Sequence, residues 1–280
     1  MACKNYSPAI LMLTWPAQPV QIESPFMAPD PSSFPDLPAL EQAMRRAAAE
    51  ARQWLGATSP NPPVGAVALD ADGKVLAATA HRRAGEAHAE TLLLDMCRER
   101  GLLDKVHTLV VTLEPCNHRG RTPPCTEAVL AAGIEKVVIG VRDPNPKVTG
   151  GGIERLRAAG CGVTLGVAED ECRQLIHAFA YKVTTGKPFV TVKRAVTRED
   201  SMIPPVGQKT FTSPEARRLA QRLRKKADAI LTGSGTILAD NPLEDDRTSL
   251  PGDDGDGHTR FVEAVVAGRS VGSTDAVLDG

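Results

Sequence analysis

The run Val106-His107-Thr108-Leu109-Val110-Val111-Thr112-Leu113-Glu114-Pro115-Cys116 is apolar through its middle and closes on proline and cysteine. An unbroken apolar run of this length, rich in β-branched residues, reads as a buried strand. Working downstream, Pro124–Ala132 reads as a helix closed by Gly133, and Lys136–Val141 as another strand. A short helix over Gly152–Ala159 and a last strand over Gly162–Val167 follow. Working upstream, 88–99 reads as a helix, and Asp72-Gly73 is a hairpin turn between strands Val64–Leu69 and Lys74–Ala80. Before them Leu37, Leu40, Met44, Ala47, Ala51 and Leu55 recur at helical spacing up to Gly56. Alternating strands and helices of this length predict a three-layer α/β/α domain over 37–168, its central sheet covered by helices on both faces.

Outside that domain the pattern weakens. Residues 1–36 read as a flexible extension without periodicity, since the first 38 residues carry 8 of the 22 prolines. Residues 169–187 read as a linker. Pro188 then opens a second α/β series: a strand over Phe189–Ala195, a helix over Ser213–Lys226 with Ser213 as cap and Pro214 in its first position, and a strand over Ala229–Thr232. This partial domain spans 188–243. Residues 244–280 form an acidic Gly/Asp-rich tail, expected to be disordered or non-native.

The 280 residues include 33 Lys+Arg and 34 Asp+Glu, for a formal charge of −1. That balance is a cancellation: residues 1–243 carry 30 basic and 25 acidic side chains, and 244–280 carry 3 and 9. No strong basic excess exists to suggest a nucleic-acid partner. No apolar run approaches the ~18–20 residues of a membrane span, and the start is a poor signal peptide. Six cysteines in a chain of this size are too few for a disulfide scaffold, which points to a reducing cytoplasm. With aromatics at 4%, the core must be built from Ala, Val, Leu and Ile.

The chemistry gathers on four residues. His88-Ala89-Glu90 begins a helix, Pro115-Cys116 ends the buried strand, and Cys125 lies in the helix that follows. One imidazole and two thiolates are a three-ligand zinc set that leaves a fourth position for water, an arrangement suited to catalysis. Zinc lowers the pKa of bound water to about 7. Glu90, two residues from the ligand His88, can flank the metal without binding it and shuttle the proton. A His-x-Glu followed by Pro-Cys and a second cysteine is the pattern of zinc-dependent nucleobase deaminases.

The eight residues between Cys116 and Cys125 are more than many deaminases have. The stretch Thr112-Leu113-Glu114-Pro115-Cys116-Asn117-His118-Arg119-Gly120-Arg121-Thr122-Pro123-Pro124-Cys125 closely resembles the deaminase domain of the bifunctional riboflavin-biosynthesis deaminase/reductase family. Ser59-Pro60-Asn61-Pro62-Pro63-Val64-Gly65, His81, and Asp143-Pro144-Asn145-Pro146-Lys147-Val148-Thr149-Gly150 match in order too. The resemblance implies a cytidine-deaminase-like fold and hydrolytic removal of the 2-amino group from 2,5-diamino-6-(5-phosphoribosylamino)pyrimidin-4-one. A phosphorylated substrate gives Arg119 and Arg121 a purpose, since guanidinium donors match phosphate geometry, although a solvated basic loop has the same composition. Asn61 offers a donor and an acceptor to a pyrimidine or ribose, or serves as a plain turn residue, and His81 is a further candidate substrate contact.

Lys193-Arg194-Ala195, Thr212-Ser213, Arg224 and Gly233-Ser234-Gly235-Thr236-Ile237-Leu238-Ala239-Asp240-Asn241-Pro242 resemble the start of the same family's reductase domain. The resemblance implies a dihydrofolate-reductase-like fold using NADPH, with Ala195, Thr236 and Asp240 as cofactor contacts and Arg224 as a substrate contact. Arg247 sits at the spacing of a family arginine. Two departures accompany it: Thr197-Arg198-Glu199-Asp200-Ser201-Met202-Ile203 replaces the family's Ser-x-Asp-Gly, and Glu244-Asp245-Asp246 stands where an apolar segment is expected. With only 93 residues after Lys187, the reductase is expected to be truncated and impaired. Deamination of a different pyrimidine or purine, and a non-catalytic zinc-bound scaffold or partner of a complete homologue, remain as other readings. Self-association into a homo-oligomer is also open.

Overall fold

The computed structural model describes residues 10–14, 36–118, 123–146, 151–197, 200–202, 206–207, 212–231 and 260–261. The chain divides into two compact units, Met1–Ala216 and Arg217–Gly280. In chain order the elements of the first are strand β1 (Ile10–Thr14), helix α1 (Leu37–Arg52), strands β2 (Gly65–Leu69) and β3 (Val75–Ala80), and helix α2 (Ala89–Glu99). Strand β4 (Thr108–Leu113), helix α3 (Cys125–Ala131), strand β5 (Lys136–Val141), helix α4 (Gly152–Ala158), strand β6 (Gly162–Leu165), helix α5 (Glu169–Thr185) and strand β7 (Thr191–Ala195) complete it. Helix α6 (Pro214–Lys225) and the two-residue strands β8 (Ala229–Ile230) and β9 (Arg260–Phe261) follow, with β8 and β9 paired in parallel.

The five-stranded sheet runs β3-β2-β4-β5-β6. Its hairpin side is antiparallel and its β4-β5-β6 side parallel, so the sheet is mixed. β4 lies at its centre, and all six of its residues are buried, as a continuous apolar run requires. The register of β2, β4 and β5 places Gly65, Thr112 and Gly140 in one row. A Cβ on Gly65 would stand 1.9 Å from the Ala47 carbonyl oxygen of α1, and one on Gly140 would stand 2.3 Å from Cys172 Sγ of α5. Missing side chains in that row therefore let α1 and α5 settle on one face of the sheet. Helices α2, α3 and α4, each touching the next, cover the other.

The core is aliphatic, as the composition demands. Met44, Ala47, Ala48 and Ala51 of α1 share one core cluster with Val67, Leu109, Val110, Val111 and Ile139 of the sheet, and no Phe, Tyr or Trp is fully buried among the described residues. Also among the described residues, no helix is long and apolar enough to cross a membrane.

Several boundaries differ from the sequence expectation. The stretch 169–187, expected as a linker, is mostly α5, and Cys172, Leu175 and Ile176 at helical spacing join the core. Three acidic residues in its first turn favour that helix start, and Gly186 at φ 72° ends it. Phe189, expected in a strand, instead sets its ring edge-on to His177 and Tyr181 of α5 at 4.0 and 5.7 Å between centroids. Within the expected flexible extension, Ile10–Thr14 pairs antiparallel with β7, a strand too short to show periodicity between its flanking prolines. Helix α1 stops at Arg52, four residues before Gly56, and turns carry Trp54 and Leu55 onto the core. In α6, Ser213 Oγ accepts from Ala216 N–H at 3.2 Å with Pro214 in the first position, the expected cap.

Candidate metal centre and active site

Three elements converge on one point. His88 is the N-cap of α2, in extended backbone (φ −68°, ψ 160°), and its imidazole makes no capping bond to the helix. Cys116 follows the buried strand β4, and Cys125 is the first residue of α3. His88 Nδ1 lies 3.3 Å from Cys125 Sγ and 3.6 Å from Cys116 Sγ, and the Cys125 N–H donates to Cys116 Sγ at 3.3 Å. All three ligand atoms fall within 4.8 Å of one another. Tetrahedral zinc with its usual Zn–S and Zn–N lengths holds such atoms about 3.4–3.8 Å apart, so the donor set and its spacing fit that ion.

The electrostatics suit a cation as well. The hydrogen bond from Cys125, followed by those from His88 and the Cys125 N–H, brings the Cys116 thiol down to about 4. Cys125 moves up, first because it shares its proton with Cys116 and second because it is buried. The hydrogen bond to Cys116 likewise raises His88. Two thiolates cannot sit this close without a proton or a cation between them. Glu90, in the first turn of α2 and only 3% exposed, is pushed by burial up to about 7.

Beside this cluster His81 is 2% exposed and stands edge-on to His88 at 5.4 Å. Its Nδ1 lies 3.0 Å from the Ala87 carbonyl, which only accepts, so Nδ1 carries the proton. Nε2 is then the acceptor, and Asn61 Nδ2–H donates to it at 3.2 Å. Burial pushes the His81 pKa down, consistent with a neutral ring. One amide hydrogen of Asn61 is thereby committed, while its second N–H and Oδ1 keep the expected donor-and-acceptor role.

His88, Glu90, Cys116, Cys125, His81 and Asn61 therefore assemble at one place. Ala195 instead closes β7, paired with Ile10, and Arg224 lies exposed on α6. Arg119, Arg121, Thr236, Asp240 and Arg247 lie outside the described residues. Sequence reasoning missed Glu114, whose carboxylate binds two distant backbone amides; its only signal was an acidic residue at the end of an apolar strand. A cavity of about 330 Å³ opens beside His88 between Ala87 and Thr91 on one side and Pro123, Glu127 and Ala128 on the other. Its lining does not include Glu90, Asn61 or His81.

Two family matches cover the chain in order. The cytidine and deoxycytidylate deaminase zinc-binding region matches residues 38–141, and the RibD C-terminal domain matches 188–269. The chain belongs to the RibD family. Riboflavin biosynthesis protein RibD of Escherichia coli is 43% identical over 203 residues, covering 72% of this chain and 54% of that protein. RibD of Aquifex aeolicus is 42% identical over 200 residues, with 71% and 55% covered. Among solved structures, a diaminohydroxyphosphoribosylaminopyrimidine deaminase/5-amino-6-(5-phosphoribosylamino)uracil reductase from Thermotoga maritima superposes with a TM-score of 0.69 at 38% identity, over 76% of this chain and 60% of that one. The chain spans about half the length of the curated RibD relatives it matches.

Proposed function

We propose that this RibD-family chain hydrolytically deaminates 2,5-diamino-6-(5-phosphoribosylamino)pyrimidin-4-one, with the deaminase domain running from Leu37 through α5. The observation that carries the reading is the His88, Cys116 and Cys125 cluster with a buried Glu90 beside it. Zinc, when bound by those three residues, supplies the Lewis acidity that makes water nucleophilic at neutral pH. Glu90 takes the proton the attacking water loses and returns it to the departing amine, so the C–N bond breaks with release of ammonia and the ring carbon gains a carbonyl oxygen. Burial pushes this carboxyl up to about 7 in the metal-free protein, a direction that favours a group able to accept and release a proton. Asn61 Oδ1, fixed by the bond from its own amide to His81, accepts from a ring or ribose donor. Arg119 and Arg121 bind the phosphate.

For the second half we propose an impaired NADPH-dependent reduction, with Ala195, Thr236 and Asp240 toward the cofactor and Arg224 and Arg247 toward substrate. What supports impairment is the acidic Glu244-Asp245-Asp246 in place of an apolar segment and the altered Thr197–Ile203 stretch. The test is ammonia release from the phosphorylated diaminopyrimidine by metal-analysed protein, with free nucleobases in parallel and NADPH oxidation followed on the deaminated product. Ammonia from the phosphorylated compound alone supports the reading. Release only from nucleobases, or none from zinc-loaded protein, refutes it.

A further inference from the structure

We propose that Glu114 is a positioning residue of this centre, holding both stems of the 143–153 connection beside Cys116; the inference rests on the deaminase reading above. Glu114 follows β4 directly and is 9% exposed. Its Oε2 accepts from the Asp143 N–H at 3.2 Å and its Oε1 from the Ile153 N–H at 3.1 Å, while its own N–H donates to the Val141 carbonyl at 2.9 Å. One carboxylate thus ties the exit of β5 and the first turn of α4 to the strand end that carries the metal ligand two residues on.

The local sequence is built for that clamp. The N-cap of α4 is Gly151, which has no side chain to satisfy a first-turn amide, so the acceptor must come from elsewhere. A Cβ on Gly152 would stand 2.2 Å from the Pro115 carbonyl oxygen and 3.1 Å from Glu114 Oε1, so only glycine lets α4 come this close. On the other flank, Asn117 Oδ1 accepts from Thr126 Oγ1 at 2.8 Å and Thr126 N–H donates to the Cys116 carbonyl at 3.2 Å. The strip from Glu114 to Asn117 is pinned to α4 on one side and to α3 on the other, with Cys116 inside it. The half-buried Asp143 carboxyl, carried by the clamped stem, lies within the electrostatic reach of Cys116, Glu114 and His118. With both oxygens engaged by backbone amides, Glu114 itself is not a second proton shuttle.

Glu114→Gln in the full chain keeps the shape but sets an NH₂ group against one of the two amides. The expected result has three parts: zinc content as in wild type, hydrogen exchange at the Asp143 or Ile153 amide faster by about tenfold or more, the factor for losing one hydrogen bond to a charged group, and a KM that rises with kcat much less affected. Glu114→Asp, too short to reach both amides, is the second variant and carries the same expectation should the glutamine form not fold. Unchanged exchange at both amides overturns the proposal. So does a joint loss of zinc and kcat at constant KM, which is what a merely structural residue would give. Wild-type protein that releases no ammonia refutes the deaminase reading alone, and amide exchange with zinc content then decides the clamp.

Discussion

Asn61 Nδ2 donates to His81 Nε2 at 3.2 Å, and the ring's other nitrogen donates to the Ala87 carbonyl one residue before the ligand His88. Both ring nitrogens of a buried histidine are satisfied, one of them by the loop that carries Asn61. Asn61→Ala removes the donor and leaves Nε2 without a partner, at a cost of about 1–3 kcal/mol. Urea unfolding is expected to show a loss of that size with bound zinc unchanged, together with a raised KM. Unchanged stability would show that the pair is not formed.

Glu90 makes a sharper case because its burial and its chemistry pull in different directions. Replacing a 3%-exposed carboxyl by the neutral isostere in Glu90→Gln removes a desolvated acid, so stability and zinc content are expected to hold or rise. Turnover is expected to fall by about 10²–10⁴-fold, the usual share of a positioned acid-base group. Ammonia release within tenfold of wild type would take Glu90 out of the proton transfer.

The metal cluster was legible in the sequence because few residue types bind zinc, and the strand and helix ends that carry them are marked by Pro115, by Pro124 and by the His-x-Glu at a helix start. The Glu114 clamp was not, because its partners are backbone amides 29 and 39 residues away and no residue type announces a backbone donor. The Asn61–His81 bond was half legible: both residues were candidates, but only the fold sets one against the other and thereby commits one amide hydrogen of Asn61. Helix α5 carries its apolar residues at helical spacing, yet Glu169-Asp170-Glu171 and the polar residues between hid the buried stripe. Strand β1 was invisible because its partner β7 lies at the other end of the unit.

The Gly65–Thr112–Gly140 row predicts a packing defect where α5 meets the sheet. Gly140→Ala would place Cβ 2.3 Å from Cys172 Sγ and 2.8 Å from the Thr112 carbonyl oxygen, so either α5 or the sheet must shift. Overpacking of this kind costs about 1–3 kcal/mol. Cys172→Ala removes the sulfur but leaves its own Cβ, which stands 2.9 Å away, so it is expected to restore part of the loss. The double variant should therefore be more stable than the sum of the two single losses, measured as coupling in urea unfolding. Strict additivity would mean that α5 does not seat at Gly140.

Two cysteines separate the consequences of metal removal from those of unfolding. Cys116 is held near 4 by its hydrogen bonds, so in metal-free protein it is a thiolate at about pH 6–7 and reactive. Cys172 is fully buried, and burial pushes its thiol up to about 12, so it stays protonated and shielded while the protein is folded. Iodoacetamide with peptide mapping is expected to leave Cys116 untouched in zinc-loaded protein, to modify it after chelation, and to reach Cys172 only in denaturant. Equal labelling of Cys116 before and after chelation would show that the thiolate was never a metal ligand, and early labelling of Cys172 would show that α5 opens when the metal leaves.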